Sequence, residues 1–243
     1  MICKTKKIVS GLVDILFPRR CMVCGLSIGK IEPPPFCPEC VSLINFIRAP
    51  LCISCGMPFA DTYGTNHLCG DCISSRPPFA VARALGMYEK TLLDAIHLFK
   101  YNGKIAMGEI LGEMMAQYDY DSLDIRDYSL LMPVPLHTLR LKKRGFNQAL
   151  ILARHIAHKF SLPLDFTTLK RSVDTKPQVN LGRSERVKNI KGAFEVAHEE
   201  KIRGKKILLV DDVYTTGSTV RECARVLIEK GAKEVSVFTL ARA

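Results

Sequence analysis

No apolar stretch in this 243-residue chain approaches the roughly 20 residues needed for a helix to cross a bilayer. A membrane span is therefore not expected. The best candidate, IVSGLVDILF (8–17), is ten residues long, is broken by Asp14 and meets Pro18 without a small-residue cleavage site. Lys4, Lys6 and Lys7 in front of it thus fall short of a secretion signal. Residues 1–20 read better as a short amphipathic helix, and the protein is expected in the cytoplasm. GxxxxGK[ST] and GxGxxG are both missing, which removes the usual nucleotide triphosphatase and dinucleotide-binding readings. Acidic residues are in short supply, 24 against 35 Lys and Arg.

What is present is ordinary for a globular protein of one or two domains: 47% hydrophobic and 24% charged residues. The basic excess is local. Residues 137–206 carry 17 basic and 6 acidic side chains, whereas 207–243 carry 5 of each and 81–136 are net acidic. A block of that kind suits a polyanionic partner, with phosphates of nucleotides or nucleic acid the commonest.

Ten cysteines in a reducing compartment are metal ligands more readily than disulfides. Eight form CxxC pairs: Cys21/Cys24, Cys37/Cys40, Cys52/Cys55 and Cys69/Cys72. The spacing between pairs suits two successive zinc ribbons over residues 21–73, each holding one structural zinc ion with four thiolates. Interleaved ligation satisfies the same spacing, but sequential ribbons are the simpler arrangement. Gly25 and Gly56 follow the second cysteine of a pair, where backbone amides must swing toward sulfur. His67 is an unneeded fifth ligand and reads as a loop residue, while Cys223 falls on the apolar face of a helix. Eight thiolates and two zinc ions would also turn the slightly basic first 80 residues slightly acidic.

Ser74, Ser75, Pro77 and Pro78 mark 74–80 as a linker. From 81 to 243 strands alternate with helices. VARALGMYE (81–89), SLLMPVPL (129–136), KILLVDDV (206–213) and EVSVFTL (234–240) read as strands. Leu92/Leu93/Ile96/Phe99, Met107/Ile110/Leu111/Met114, Ala149/Leu152/Ala153/Ile156/Phe160 and residues 217–230 read as helices. The apolar strands indicate an α/β domain with a parallel sheet. Ligands of such sheets bind at the carboxyl ends of strands, and after ILLV comes Asp211-Asp212-Val213-Tyr214-Thr215-Thr216-Gly217-Ser218-Thr219. Two adjacent carboxylates can accept from a ribose diol. The hydroxyls, the permissive Gly217 and the amides of a helix N-terminus suit a phosphate. Together they fit a sugar phosphate.

ILLVDDVYTTGST resembles the fingerprint of type I phosphoribosyltransferases for 5-phosphoribosyl pyrophosphate (PRPP). PVPLHTLRLKKRGFNQA (133–149), KPQVNLGRSERVKNIKGAF (176–194) and VSVFTLARA further resemble the ComF family of double-zinc-ribbon proteins associated with competence. The resemblance implies that Asp211 and Asp212 hold the ribose hydroxyls and serve catalysis, with Tyr214, Thr215, Thr216, Gly217, Ser218 and Thr219 around the 5-phosphate. It places Arg140, Arg144 and Gly145 at the pyrophosphate. It makes 170–192 a closing mobile loop, with Arg171, Lys176, Gln178, Arg183, Arg186, Lys188 and Asn189. Arg forks suit bidentate phosphate contacts, and Mg2+ is expected to arrive with PRPP.

The chain ends soon after its last strand, so no C-terminal hood over a nucleobase is expected. An acceptor pocket would have to use residues 81–103, with Tyr101, Asn102 and Gly103 as candidates, or the ribbons. Two readings follow. One is a phosphoribosyltransferase with an unknown acceptor, acting in DNA uptake or use of external DNA, with DNA-processing proteins of competence as partners. The other is a non-catalytic binder of single-stranded DNA, or a ligand sensor, that retains the PRPP pocket. The basic block offers few rings for stacking on bases, only Phe146, Phe160, Phe166 and Phe194.

Overall fold

A computed structural model describes residues 20–28, 36–61, 63–101, 105–120, 122–174 and 183–243. Residues 1–19 of the expected N-terminal helix, and Asn102 and Gly103, lie outside these residues, while Arg20 forms a β-bridge with Ser27. The stretch of the basic loop that holds Lys176 and Gln178 also lies outside them. Among the described residues no helix is long and apolar enough to cross a membrane.

Four strands, β1 (Ala82–Met87), β2 (Leu130–Pro133), β5 (Lys206–Tyr214) and β6 (Glu234–Arg242), form one parallel sheet in the order β1-β6-β5-β2. β6 runs two residues past the expected end at Leu240. The continuous apolar runs of β5 and β6 arise because both faces are covered. On one face lie α3 (Lys90–Tyr101), α4 (Ile105–Gln117) and α6 (Gln148–Phe160), which share a core with Leu131, Leu208, Val210 and Phe238. On the other lie α7 (Arg183–Ile190), α8 (Ser218–Glu229) and the small antiparallel pair β3 (Leu169–Arg171) and β4 (Phe194–Val196), packed on Ile207, Leu209 and Val237. Cys223 is fully buried in that second core, as expected.

Edge strands offer unpaired backbone groups that proteins usually cover, and both edges here are covered. Leu131 N–H donates to the Pro163 carbonyl and Asp165 N–H to the Leu131 carbonyl along β2. Along β1 the cover comes from the ribbons, which contain the short helices α1 (Pro38–Ser42) and α2 (Gly70–Ser74). Ile47 N–H reaches Leu85 O at 3.1 Å, Met87 N–H reaches Asn45 O at 2.8 Å, and Ala82 N–H reaches Ser54 O at 2.7 Å. The first ribbon also joins the main core, since Cys21, Phe36, Cys37, Cys40 and Ile44 pack continuously with Leu85, Leu92 and Phe99. Residues 74–80, expected as a linker, are held to the α/β domain at two side chains and one backbone bond. Pro77 and Phe79 are buried, and Ala80 N–H donates to Val235 O at 2.8 Å.

The junction has a point where side chains are excluded. Gly56 has φ +70°, and a Cβ there would lie 2.4 Å from the Ala82 carbonyl oxygen. Gly25, its counterpart in the first ribbon, has φ +76° with nothing within 4 Å of a Cβ. Gly25→Ala should therefore cost about 1–2 kcal/mol, the strain of a left-handed alanine. Gly56→Ala should add about 1–3 kcal/mol of overpacking. Thermal unfolding of both variants checks this, and equal shifts would mean that the second ribbon does not press on β1.

Candidate functional site

The eight paired cysteines gather into two groups, Cys21/Cys24/Cys37/Cys40 and Cys52/Cys55/Cys69/Cys72, in each of which the Sγ atoms lie within 4.8 Å of one another. Sequential rather than interleaved ribbons are thus the arrangement adopted. Zinc–sulfur bonds of about 2.3 Å in a tetrahedron put sulfurs about 3.8 Å apart. Cys24 and Cys37 are 3.5 Å apart and Cys55 and Cys69 3.7 Å. Amides turn toward sulfur: in the turn before Gly56, Cys55 N–H points at Cys52 Sγ, as Cys69 N–H also does, and Cys40 N–H points at Cys37 Sγ, all at 3.4 Å. Burial opposes ionisation of Cys21 and Cys52, yet such donors outweigh it and bring both thiols down to about 6. Burial and the neighbouring sulfurs push Cys40 and Cys72 up. Four thiolates this close need a cation, and the set fits structural zinc. His67 takes no part. It stacks on Phe59 at 3.9 Å, and its ring nitrogen contacts the Thr65 carbonyl.

At the carboxyl end of β5 the alternation of a strand turns neighbouring side chains to opposite faces. Asp211 looks toward α8 and β3, Asp212 toward α3, where Lys100 Nζ meets Asp212 Oδ2 at 2.8 Å. Burial, and then the Asp212 charge, push the Asp211 carboxyl up to about 7. The Asp212 N–H, 2.9 Å from Asp211 Oδ1, and the charges of Lys100 and Arg171 act in the opposite sense. Burial would deprotonate Lys100, but Asp212 outweighs it and holds the ammonium above its ordinary value.

Beyond Tyr214 the chain turns sharply through Thr215–Gly217 into α8. Gly217 is its N-cap, at φ +72° and without a side-chain cap bond. A Cβ at Gly217 would stand 2.3 Å from the Tyr214 hydroxyl, so the turn can close only over a glycine. Thr216 Oγ1 and Ser218 Oγ are 3.0 Å apart, and Ser218 N–H leans on Thr216. Hydroxyls and amides converging on a helix N-terminus make a receptor for a phosphate-sized anion. The neighbouring carboxylates can accept from hydroxyls.

The basic residues divide into three groups. Arg171 is not in an open loop: it occupies β3 opposite Phe194, is buried, lies 5.5 Å over the Phe194 ring and directs its charge at Asp211. Arg140, on α5 (Thr138–Arg144), is 3.8 Å from Asp174, which also sits 3.5 Å from His137 Nδ1. Arg144 donates to Gln148 at 2.8 Å, and Gly145, at φ +84°, closes α5 so that Asn147 can cap α6. Arg183, Arg186, Lys188 and Asn189, expected in a mobile loop, fall within α7, with Lys188 exposed.

Sequence reading missed Lys100, although a signal existed. It lies four residues after the buried Ile96, one turn on along the same apolar face, where a lysine needs a partner. It missed Arg242 too, whose neighbours lie far away in the chain.

A parallel α/β sheet with acids and a hydroxyl-rich turn at the end of the apolar strand β5, joined to two tetracysteine clusters, defines a phosphoribosyltransferase-like domain carrying a double zinc ribbon. Family models agree: a double zinc ribbon domain matches residues 12–73 and a phosphoribosyl transferase domain residues 147–243. The chain is 30% identical over 231 residues to Competence protein F of Haemophilus influenzae, covering 93% of this chain and 98% of that one. It is also 30% identical over 228 residues to the DNA utilization protein YhgH of Salmonella typhimurium, covering 93% and 97%. Competence protein ComFC of Bacillus subtilis matches at 28% over 215 residues, 85% of this chain and 83% of that one. The chain belongs to the ComF family. Among solved structures, the glutamine PRPP amidotransferase of B. subtilis aligns with 54% of this chain and 25% of its own, at 20% identity and a TM-score of 0.37.

Proposed function

We propose that the protein binds PRPP and transfers its 5-phosphoribosyl group to an acceptor during the cytoplasmic handling of external DNA. The observation that carries this reading is the junction of Asp211 and Asp212 with the Thr215–Thr219 turn at one strand end. Asp211 and Asp212 accept from the ribose hydroxyls. Thr215, Thr216, Gly217, Ser218 and Thr219 cradle the 5-phosphate above Tyr214. Arg140, Arg144 and Gly145 serve the pyrophosphate, and the basic segment with Lys176, Gln178, Arg183, Arg186, Lys188 and Asn189 supplies further groups to it. Mg2+ accompanies the pyrophosphate, as it prefers substrate phosphates with few carboxylates. The bond from the anomeric carbon to pyrophosphate breaks with its electron pair on the leaving oxygen. The acceptor then forms the new bond and gives up a proton. The chain's contribution is ordering and charge stabilisation around that departure. Relatives named for competence and DNA utilization support the setting in DNA use.

Calorimetric titration of PRPP with Mg2+ into the wild type tests the reading. Saturable binding is expected, followed by pyrophosphate release once an acceptor is supplied. No binding by a folded, zinc-loaded chain would leave a scaffold without its ligand.

The exposure of Lys142, Lys143, Lys188 and Lys191 favours a second reading, a protein that binds single-stranded DNA and retains the pocket. Many Lys and Arg contacts make affinity fall steeply with salt. Lys188→Glu with Lys191→Glu should weaken DNA binding and reduce the salt slope by roughly 2. Unchanged DNA affinity in filter binding would place any DNA site elsewhere.

A further inference from the structure

Arg242 stands at the end of β6, with Tyr214 of β5 as its register neighbour. Its side chain is 5% exposed and reaches out of the α/β domain into the second ribbon. Nη1 donates to the Cys55 carbonyl at 2.7 Å, Nη2 lies 3.6 Å from Cys55 Sγ, and the guanidinium carbon sits 4.4 Å over the Tyr214 ring. Tyr214 in turn fills the space that keeps residue 217 a glycine, and Phe79 meets its ring edge-on at 6.4 Å. One buried cation thus touches a cysteine of the metal cluster on one side and the floor of the phosphate turn on the other. The CxxC turn is further pinned to β1 by Arg83 Nη2 on the Ile53 carbonyl at 3.3 Å and by Ser54 on Ala82.

We infer that Arg242 is a positioning residue that couples occupancy of the Cys52/Cys55/Cys69/Cys72 site to the conformation of the 214–219 phosphate turn. The cation would fix Cys55, and with it the carbonyl 2.7 Å from Arg242 Nη1 and the Sγ 3.6 Å from Nη2. Anchored there, the planar guanidinium stays flat on Tyr214, which a cation–π contact rewards, and the tyrosine supports Gly217 from below. Without the cation the Cys55 turn loosens, and Arg242 follows the carbonyl it donates to. It must shift, and the ring it covers shifts with it. The second ribbon on this view belongs to the phosphate site, whatever else its outer surface does. The inference rests on the PRPP reading only for its effect on affinity; the effect on the turn stands apart from it.

The test uses the full-length protein with Arg242→Lys, Cys72→Ser and the two combined. Cys72→Ser empties the second cluster while leaving Cys55 and Arg242 themselves unsubstituted, and Arg242→Lys keeps the charge while losing the fork. The readouts are zinc content, the rate of zinc loss to a chelator, amide hydrogen exchange in 214–219 and PRPP–Mg2+ titration. With zinc still at two per chain, Arg242→Lys should speed exchange in 214–219 and the loss of one zinc ion. It should also weaken PRPP binding about tenfold, the loss of one charged hydrogen bond. Cys72→Ser should do the same to exchange and affinity, and the combined variant no more than either alone, because they break one linkage. Unchanged exchange in Arg242→Lys, or fully additive effects on exchange, overturns the coupling. Faster exchange in a protein that binds no PRPP in any form upholds the coupling and removes the PRPP reading instead.

Discussion

The variant with Asp211→Ala and Asp212→Ala should give no heat of PRPP–Mg2+ binding while keeping two zinc ions and the wild-type circular dichroism. Each carboxylate is expected to accept from a ribose hydroxyl, and a hydrogen bond to a charged group is worth about 1.5–3 kcal/mol. Losing two lowers affinity by about 10²–10⁴-fold. The fold should survive, because neither side chain holds up the sheet. The ladder of β5 with β6 through Asp211–Tyr214 uses only backbone groups, and Lys100, left without the Asp212 charge that opposes its burial, can become neutral. Equal affinity in wild type and variant would remove this strand end as the PRPP site.

The same acid carries a pH signature. Asp211 titrates at about 7 in the folded chain, against an ordinary value of 3.8, with burial the main cause. The folded state therefore binds a proton that the unfolded chain has released between about pH 4 and 7. Stability contributed by the neutral carboxyl is full below that window and is lost as pH rises through it. Binding runs the other way, since a carboxylate serves the ribose diol better than a carboxylic acid, and PRPP affinity should climb as pH passes 7. Asp211→Asn should raise the melting temperature at pH 8, on the order of 5 °C, while weakening PRPP binding. A variant melting no higher than wild type at pH 8 would contradict the burial of this charge.

What could be read in the sequence was whatever chemistry the chain keeps local. A CxxC pair carries both ligands and the turn that aims the amides, so ligand identities needed no tertiary information. The β5 strand, its acids and the turn into α8 are likewise one continuous stretch. What escaped is long-range. Lys100 meets an acid 112 positions on, and Arg242 a cysteine 187 positions back; nothing in either neighbourhood names its partner. Arg171 looked like a loop cation because β3 is only three residues long, too short for alternation to announce it. The docking of the ribbons on β1 runs through backbone groups at Asn45, Ile47 and Ser54, which any residue type offers. Irregular backbone such as that around Pro77 and Pro78 can still carry a buried side chain, as Phe79 does.

Zinc analysis of the wild type should return two ions per chain, and Cys21→Ser should return one with a large loss of stability. The size of that loss follows from where the first cluster sits. Cys21, Cys37 and Cys40 are buried and continuous with Leu85, Leu92, Ile96 and Phe99, so this ribbon is a wall of the main core. Structural zinc contributes about 10–16 kcal/mol of apparent binding energy in small domains, comparable to or above the whole stability of an average protein, about 5–15 kcal/mol. Emptying the site should therefore detach the first ribbon, with Asn45 and Ile47, and uncover the β1 edge at Leu85 and Met87, which then becomes a template for aggregation. The second cluster is a smaller island of Cys52, Cys55 and Cys72 with Phe59 and Cys69. Cys72→Ser should cost less in global stability and act chiefly on its own turn and on Arg242. Melting curves and light scattering of the two serine variants separate these cases. Matching losses would mean that the first ribbon is not part of the core, and a wild-type zinc content of zero or one would defeat the two-site arrangement.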